Sequence, residues 1–379
     1  MHRRNRRGIY RSGRLLCFLS LLTLMSVPLI GALGWDEHGD FRGFGGGLRL
    51  GANFSDFPLR NYFIKAHNFI AVYGLGVMPS RDIIVGKQGF WFFASTPGTA
   101  GAITETHLRE NPMTPDQLES RGMALDRFAR HLKGLGIAFA FVVAPDKQSI
   151  YPEYLPEDFG PLATSPRRVQ FVSYMRAHFG GAPYLLDLTE EISAHKMDGP
   201  LFYKKDSHWT SIAAEIGYRA ILRFLISEGV VHEQENKPLP PPLWKTHSGD
   251  LVTNILGLDF ITDGEWTPAT TVLLCSAEGR QRPGQLVGGE PFSYHCPGAL
   301  PRRALFYGDS FFFTGGFWNC FSHLFAMATL LGRNNPGIFD KISWQPKPQF
   351  IMVETVERSL ADTLDAVAAT PLPMLAAQP

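Results

Sequence analysis

The chain of 379 residues contains only four cysteines, and their spacing and neighbours give no zinc-site signature. Cys17 lies in an apolar segment, which leaves Cys275, Cys296 and Cys320 for the rest of the chain. A disulfide between Cys275 and Cys296 would suit an oxidising compartment, and three buried thiols are the alternative. Internal repeats are also lacking, which excludes a repeat architecture. At this length the chain can bury a large core in one large domain or two smaller ones.

A basic excess is missing from the body of the protein. Six arginines lie within the first fourteen residues, and the remaining 30 Lys and Arg residues are fewer than the 35 Asp and Glu residues. Nucleic-acid-binding domains are normally basic, so the composition argues against a nucleic-acid partner.

The one long uncharged run, 15–35, follows these arginines and is long enough to cross a bilayer as a helix. Arginines on its N-terminal side would keep that end in the cytoplasm. We therefore predict a basic segment and transmembrane signal anchor at 1–35, a glycine-rich flexible linker at 36–56, a catalytic body at 57–365 and a loose tail at 366–379. A cleaved signal peptide is the alternative, and either reading predicts a periplasmic body, anchored in the inner membrane or soluble.

Helical and strand patterns alternate through the body, which indicates an α/β class. The almost wholly apolar run 137–144 is typical of a central parallel strand that is covered on both faces. Its C-terminal end leads into a loop with Lys147 and Tyr151, and such loops carry the sites of open α/β sheets. Both residues are binding candidates, with an ion pair or a buried phenol as the structural alternative. After a last turn, 317–331 is predicted to be a helix and 350–353 the final core strand.

The stretch 304–313 predicts a short buried strand that ends in a tight turn carrying Ser310. Gly308 gives this turn its backbone freedom, and a helix beginning after Ser310 would direct N–H groups towards a developing oxyanion. Phe312 occupies the place of the second glycine in Gly-x-Ser-x-Gly, which argues against an α/β-hydrolase elbow. The alternative for this Gly-Asp-Ser sequence is a solvated turn.

Asp206 and His208 stand two residues apart, just before a predicted helix at 211–225. A carboxylate so placed can orient an imidazole, whose other nitrogen then acts as the base that a serine nucleophile requires. A capping aspartate beside a surface histidine is the alternative. Metal binding at this pair lacks a second cluster with ligand spacing. Other histidines have less support as the base: His67, His131, His195, His247, His295 and His323.

Two sequence blocks extend this argument beyond single motifs. The block at 205–210, Lys-Asp-Ser-His-Trp-Thr, resembles the Thr-Asp-x-His-Trp block of the alginate O-acetyltransferase family, the AlgJ/AlgX-type periplasmic proteins with an SGNH-hydrolase-like domain. The block at 307–311, Tyr-Gly-Asp-Ser-Phe, resembles the nucleophile block of that family. Three further segments match in family order: 85–92, 144–156 and 353–360.

The resemblance implies a flavodoxin-like three-layer α/β/α domain with a parallel central sheet, in which Asp206 and His208 precede Ser310. It also implies an exported polysaccharide as acceptor, such as alginate, and a multi-spanning membrane O-acyltransferase as source of the acetyl group. No metal or cofactor is expected. The chain ends soon after residue 360, which resembles the AlgJ branch rather than the branch with an appended carbohydrate-binding module. Of the oxyanion donors, only the Ser310 amide can be named.

The resulting hypothesis is a periplasmic O-acetyltransferase that works through an acetyl-serine intermediate on Ser310. An acetyl-polysaccharide esterase with the same triad and a non-catalytic polysaccharide-binding subunit are the alternatives. Four residues are candidates for substrate binding: Lys147, Tyr151, Trp209 and Arg358. Trp209 and other aromatic residues could stack on sugars, although core packing is the other use of such residues.

Overall fold

The computed structural model describes residues 60–94, 112–159, 164–235, 238–239, 243–269, 276–277, 292–296, 299–332 and 346–372. The predicted anchor at 1–35 and linker at 36–56 lie outside these ranges. Within the ranges, no helix combines the length and the apolar character that crossing a bilayer requires. The chain divides into two compact units, Met1–Val77 and Met78–Pro379.

The described part of the first unit is helical. Helix α1 spans Arg60–Phe69 and continues as a π-helical turn over Ile70–Gly74.

The second unit is built around a seven-stranded sheet. In order across the sheet, the strands span Leu185–Asp187 (β4), Ala138–Ala144 (β3), Phe350–Val356 (β11), Arg303–Gly308 (β9), Met327–Gly332 (β10), Phe292–His295 (β8) and Ser276–Ala277 (β7). The first five strands in this order run parallel, whereas β8 pairs antiparallel with β10 and β7 pairs antiparallel with β8 at one edge. The α/β class and the mainly parallel sheet predicted from the sequence are therefore confirmed.

Both faces of the sheet are covered, as the fully buried strand β3 shows. Ala140 and Val142 point into one apolar cluster, whereas Phe139 and Phe141 point into the other. Successive side chains of a strand alternate between faces, so an uninterrupted apolar run requires a helical layer on each side.

Helices supply these two layers. Apolar residues of three helices, α2 (Pro115–Gly134), α4 (Arg167–His178) and α8 (Leu360–Ala369), belong to the cluster that contains Phe139. Helix α6 (Ser211–Ser227) packs into the opposite cluster. Thr114 caps α2 in a capping box with Gln117, which defines where this helix begins. The other helices of this unit are short and span Lys147–Ile150 (α3), Thr189–Ala194 (α5) and Ser310–Phe313 (α7).

Two small antiparallel sheets accompany the central sheet. Strand β1 (Ile83–Val85) pairs with β2 (Trp91–Phe93), and β5 (Leu243–His247) pairs with β6 (Asp263–Ala269). Cys296, next to β8, is disulfide-bonded, whereas Cys320 is a free and buried thiol. The alternative of three buried thiols is therefore wrong. Cys275, the predicted partner, lies outside the described residues.

The structure differs from the predicted pattern near the C-terminus. The segment predicted as one helix at 317–331 is a short 3-10 helix, Trp318–Phe321, followed by strand β10. The prediction was wrong because a buried apolar run fits a strand covered on both faces as well as it fits a helix. Helix α8 also continues to Ala369, with Val367 buried, beyond residue 365 where we expected the body to end.

Candidate active site

Three loops that carry polar residues leave the C-terminal edge of the parallel sheet. Strand β3 leads to Asp146, β9 to Ser310 and β11 to Arg358. Because parallel strands end at a common edge, this topology gathers residues from distant parts of the chain, and open α/β sheets place their sites there.

Ser310 begins helix α7 directly after the β9 turn. Asp309 fixes this turn: its carboxylate accepts the Phe311 N–H at 2.8 Å and the Val356 N–H at 2.7 Å. A Cβ on Gly308 would come within 2.5 Å of the Phe312 Cβ, so only glycine fits this position. The turn is thus anchored to β11, while Ser310 itself stays partly exposed.

A buried carboxyl group supports the turn from below. Glu354 on β11 accepts the Asp309 N–H at 3.1 Å through Oε2. Burial and the charge of Asp309 raise the pKa of the Glu354 carboxyl well above its ordinary range. The raised pKa favours the neutral form of the Glu354 carboxyl, which avoids two adjacent buried negative charges.

Asp206 and His208 lie on a tight loop in front of helix α6. The loop is closed by a bridge between Phe202 and Trp209 and by the Thr210 N–H, which donates to the Leu201 carbonyl at 2.8 Å. The Asp206 carboxylate in turn accepts the backbone N–H of His208 at 2.8 Å. The base loop, as we call 201–210, thus fixes its own acid and imidazole locally.

The structure brings the three predicted catalytic residues into one hydrogen-bonded row. His208 Nε2 lies 2.8 Å from Ser310 Oγ, although the two residues are 102 positions apart. His208 Nδ1 lies 2.7 Å from Asp206 Oδ1. Because an ionised carboxylate can only accept hydrogen bonds, Nδ1 carries the hydrogen and the lone pair of Nε2 faces Ser310. This is the tautomer that a general base requires.

Two residues that were not among the predicted site residues complete the far side of Asp206. Its Oδ2 lies 2.7 Å from His247 Nε2 and accepts the Asp250 N–H at 2.9 Å. The Asp250 carboxylate accepts both the N–H and the hydroxyl of Ser207, at 2.7 and 2.6 Å, and its Oδ2 lies 3.5 Å from His208 Nδ1. Asp206 thus has partners on both oxygens, and a second carboxylate stands beside the imidazole.

This environment shifts the ionisation of all three acidic and basic groups. Burial opposes ionisation of Asp206, but the charge and hydrogen bonds of His208 and His247 outweigh it and hold its pKa well below the usual range. For His208, burial opposes protonation, yet the negative charges of Asp206 and Asp250 prevail over it and over the charge of Arg358, and its pKa is raised. Burial and the nearby Asp206 charge raise the pKa of Asp250.

In the part of the chain that the structure describes, one group of three side chains has atoms close enough for a metal ion. The ligand atoms of Asp206, His208 and Asp250 lie within 4.8 Å of one another. Asp206 accepts hydrogen bonds on both oxygens, and Nδ1 of His208 donates one of them. The contacts therefore suit proton transfer better than cation coordination.

Lys147 and Tyr151, two of the predicted substrate-binding residues, are buried. The Lys147 ammonium donates to the backbone carbonyls of Trp91 at 2.7 Å and Lys204 at 3.0 Å. The Tyr151 hydroxyl accepts the Leu201 N–H at 3.1 Å. Both side chains hold backbone groups of the base loop, which favours the structural alternative for each.

Trp209 and Arg358 also make internal contacts. Trp209 is fully buried, so neither ring face is open to a sugar, and its Nε1 donates to the Phe311 carbonyl at 3.0 Å. The structure thus replaces sugar stacking by a tie between the base loop and helix α7. The Arg358 guanidinium pairs with Asp146 and lies over the Phe311 ring, 5.2 Å from its centroid. It retains some exposure beside the site, so substrate binding by Arg358 stays a prediction.

Comparisons with known proteins place these residues in a wider context. Residues 83–273 match the family model described as the SGNH hydrolase-like domain of the acetyltransferase AlgX. The matched range includes Asp206, His208, His247 and Asp250 and ends before Ser310, so the serine rests on its geometry. A search of curated proteins found no match.

Solved structures similar to this chain include proteins from three bacteria. The O-acetyltransferase domain of Pseudomonas putida AlgJ is 17% identical, with 76% of this chain and 98% of that chain covered and a TM-score of 0.48. Pseudomonas aeruginosa AlgX is 13% identical over 74% of this chain and 67% of its own, with a TM-score of 0.43. Bacillus cereus PatB1 is 12% identical over 67% and 96%, with a TM-score of 0.45.

Proposed function

Because the chain belongs to the family of SGNH hydrolase-like acetyltransferase domains of the AlgX type, we propose that it transfers acetyl groups onto hydroxyl groups of an exported polysaccharide. The observation that carries this proposal is the hydrogen-bonded row from Asp206 through His208 to Ser310. Such a row converts a serine hydroxyl into a nucleophile for acyl transfer.

In the first half reaction, His208 Nε2 accepts the proton of Ser310 Oγ as this oxygen attacks the carbonyl carbon of the acetyl donor. The tetrahedral intermediate then collapses, the bond to the donor's leaving group breaks, and His208 returns the proton to that group. Asp206 keeps the imidazole in the required tautomer and stabilises its protonated form. Acetyl-Ser310 remains.

In the second half reaction, the same nitrogen accepts a proton from a sugar hydroxyl, whose oxygen attacks the acetyl-serine carbonyl. The ester to Ser310 breaks, and His208 reprotonates the serine oxygen. Both half reactions pass through an oxyanion near the same carbon, so one site serves both. The Ser310 N–H supports this role, since none of the hydrogen bonds found among the described residues engages it.

The family and the N-terminal sequence support our proposals for the acceptor class and the compartment. An arginine-rich start and the apolar run 15–35 would direct the body across the inner membrane, where an exported polysaccharide is accessible. A multi-spanning O-acyltransferase would supply acetyl groups from the cytoplasmic side. These two partners are proposals that rest on the sequence resemblance.

The test combines an activated donor, 4-nitrophenyl acetate, with an oligosaccharide acceptor. We expect a stoichiometric burst of nitrophenol, an enzyme mass increased by one acetyl group, and an oligosaccharide that gains acetyl groups. Ser310→Ala should lower the acylation rate at least about 1,000-fold, as for other serine nucleophiles. Ser227→Ala, at the far end of α6, is the matched control and should acylate like the wild type.

Three other outcomes would change the conclusion. Free acetate without acetylated oligosaccharide would identify an esterase. Saturable oligosaccharide binding without any acyl-enzyme would identify a binding subunit. Wild-type acylation by Ser310→Ala would disprove the role of this serine.

A further inference from the structure

We infer that His247 is a positioning residue that holds the Asp206 carboxylate in the orientation that His208 needs; this inference rests on the acyl transfer proposed above. His247 lies at the end of β5, outside the base loop, and no short motif connects it with Asp206. The structure nevertheless places its Nε2 2.7 Å from Asp206 Oδ2.

The two oxygens of Asp206 serve two imidazoles. Oδ1 receives Nδ1–H of His208, and Oδ2 receives Nε2–H of His247, both at 2.7 Å. A rotation of the carboxylate that weakened the contact to His208 would also break the contact to His247. Charge-assisted hydrogen bonds of this length are among the stronger ones in proteins, so the second imidazole restrains the first through the carboxylate.

The ring of His247 is itself held in place. It stacks on Tyr203, with ring centroids 3.9 Å apart and planes 15° from parallel. Burial and the charge of Asp206 raise the pKa of the Tyr203 phenol, which stays neutral. The side chain of His247 is 28% exposed and that of Asp206 only 4%, so His247 links the buried carboxylate to the surface.

The charged groups around the pair determine the direction of the pH effect. His247 faces Asp206 and the neutral Tyr203, whereas His208 faces Asp206, Asp250 and Arg358. The hydrogen bond from His247 withdraws negative charge from Asp206. Without it, more of that charge would stabilise protonated His208, and His208 would become a free base only at higher pH.

Two amide variants test this inference because they differ by a single methylene. His247→Gln can place an N–H near the position of Nε2, whereas the shorter side chain of His247→Asn cannot reach Asp206. Acylation by 4-nitrophenyl acetate is measured as kcat/KM over a range of pH. His178→Gln, at the end of α4, is the matched control for loss of a histidine.

We expect His247→Asn to lower kcat/KM at neutral pH by roughly 10- to 100-fold, the range typical of one lost hydrogen bond to a charged group. The acidic limb of its pH profile should move to higher pH. His247→Gln should restore most of the rate and the position of the limb, and His178→Gln should match the wild type.

A wild-type pH profile and rate for His247→Asn would overturn the inference, as would equal losses in the Asn and Gln variants. Unfolding midpoints of all variants show whether a lower rate reflects loss of folded protein. The outcome is separable from the proposed function: if the wild type acylates and Ser310→Ala does not, acyl transfer stands whether or not His247 matters. If Ser310→Ala acylates normally, the function itself fails.

Discussion

A methyl group added at Gly249 should disable the site without touching any group that takes part in the chemistry. Gly249 packs its backbone against the base loop, and a Cβ there would lie 2.0 Å from the Lys205 carbonyl oxygen and 3.0 Å from the Asp206 nitrogen. Non-bonded heavy atoms in real proteins hardly ever come closer than 3.0 Å to a Cβ. In Gly249→Ala the two backbones must therefore separate by about 1 Å, because both are rigid at this point.

A separation of this size would break the contacts that hold the acid. The Asp250 N–H donates to Asp206 Oδ2 at 2.9 Å, and the Ser207 N–H donates to Asp250 Oδ1 at 2.7 Å. Adding about 1 Å takes both beyond hydrogen-bonding distance. Backbone strain and one or two lost hydrogen bonds to carboxylates together should lower the free energy of unfolding by about 2–4 kcal/mol. Acylation should fall roughly 100-fold as Asp206 loses its fixed orientation.

Urea unfolding and the nitrophenol burst measure these two effects on the same preparation. Gly134→Ala is the control, since an added Cβ at the end of α2 meets no atom within 4 Å. It should leave acylation unchanged and stability the same or slightly higher. If Gly249→Ala acylates at the rate of the wild type, the close approach does not hold Asp206, and the structural argument for this turn is refuted.

Two further variants test the contacts that hold the turn between β9 and Ser310 in place. Trp209→Phe keeps an aromatic ring, although a smaller one, and removes the N–H that reaches the Phe311 carbonyl, so it should cost about 1–3 kcal/mol in urea unfolding and slow acylation, whereas Trp244→Phe on the surface should do neither. Glu354→Gln mimics the neutral acid beside Asp309. In the wild type, the raised pKa of Glu354 means that the stability it contributes is complete below about pH 4.5 and is lost as pH rises through the folded-state pKa. Glu354→Gln should lack that decline. An identical pH dependence of unfolding in both proteins would show that folding does not raise the pKa of Glu354.

The residues in the hydrogen-bonded row could be predicted because each lies in a short local pattern. Asp206 and His208 share one loop, and Ser310 follows an apolar strand in a glycine-containing turn. The fold class was likewise visible, since the continuous apolar run of β3 is a local property of the chain. What the sequence could not supply was the distance between the two loops, which depends on how the strands pair.

His247 and Asp250 were beyond prediction for the same reason. His247 was one of several histidines with little support as the base, and no sequence pattern singled out Asp250. Their contacts with Asp206 arise from the turn after β5, whose approach to the base loop is a tertiary event. The single local hint is Gly249, and its requirement becomes visible only when the neighbouring Lys205 carbonyl is known.

The sequence suggested substrate binding for three residues that the structure uses internally: Lys147, Tyr151 and Trp209. Polar or aromatic residues next to a site motif suggest contact with substrate, yet all three face inwards and bind backbone groups of the loops. A lysine with its ammonium between two carbonyl oxygens is indistinguishable in sequence from one that faces a ligand. Only burial separates the two uses.

The parallel arrangement of β3, β11 and β9 also has a consequence for folding. Strand β11, which follows both β3 and β9 in the chain, pairs with each of them, so this part of the sheet cannot close until β11 has been made. Contacts between such distant segments form slowly, after local helices and turns. The Asp206–His208 pair can form within its own loop, whereas its meeting with Ser310 requires the assembled sheet. Under the proposed mechanism, Ser310 therefore becomes reactive only after the sheet has assembled, and a chain that lacks β11 would carry no activated nucleophile.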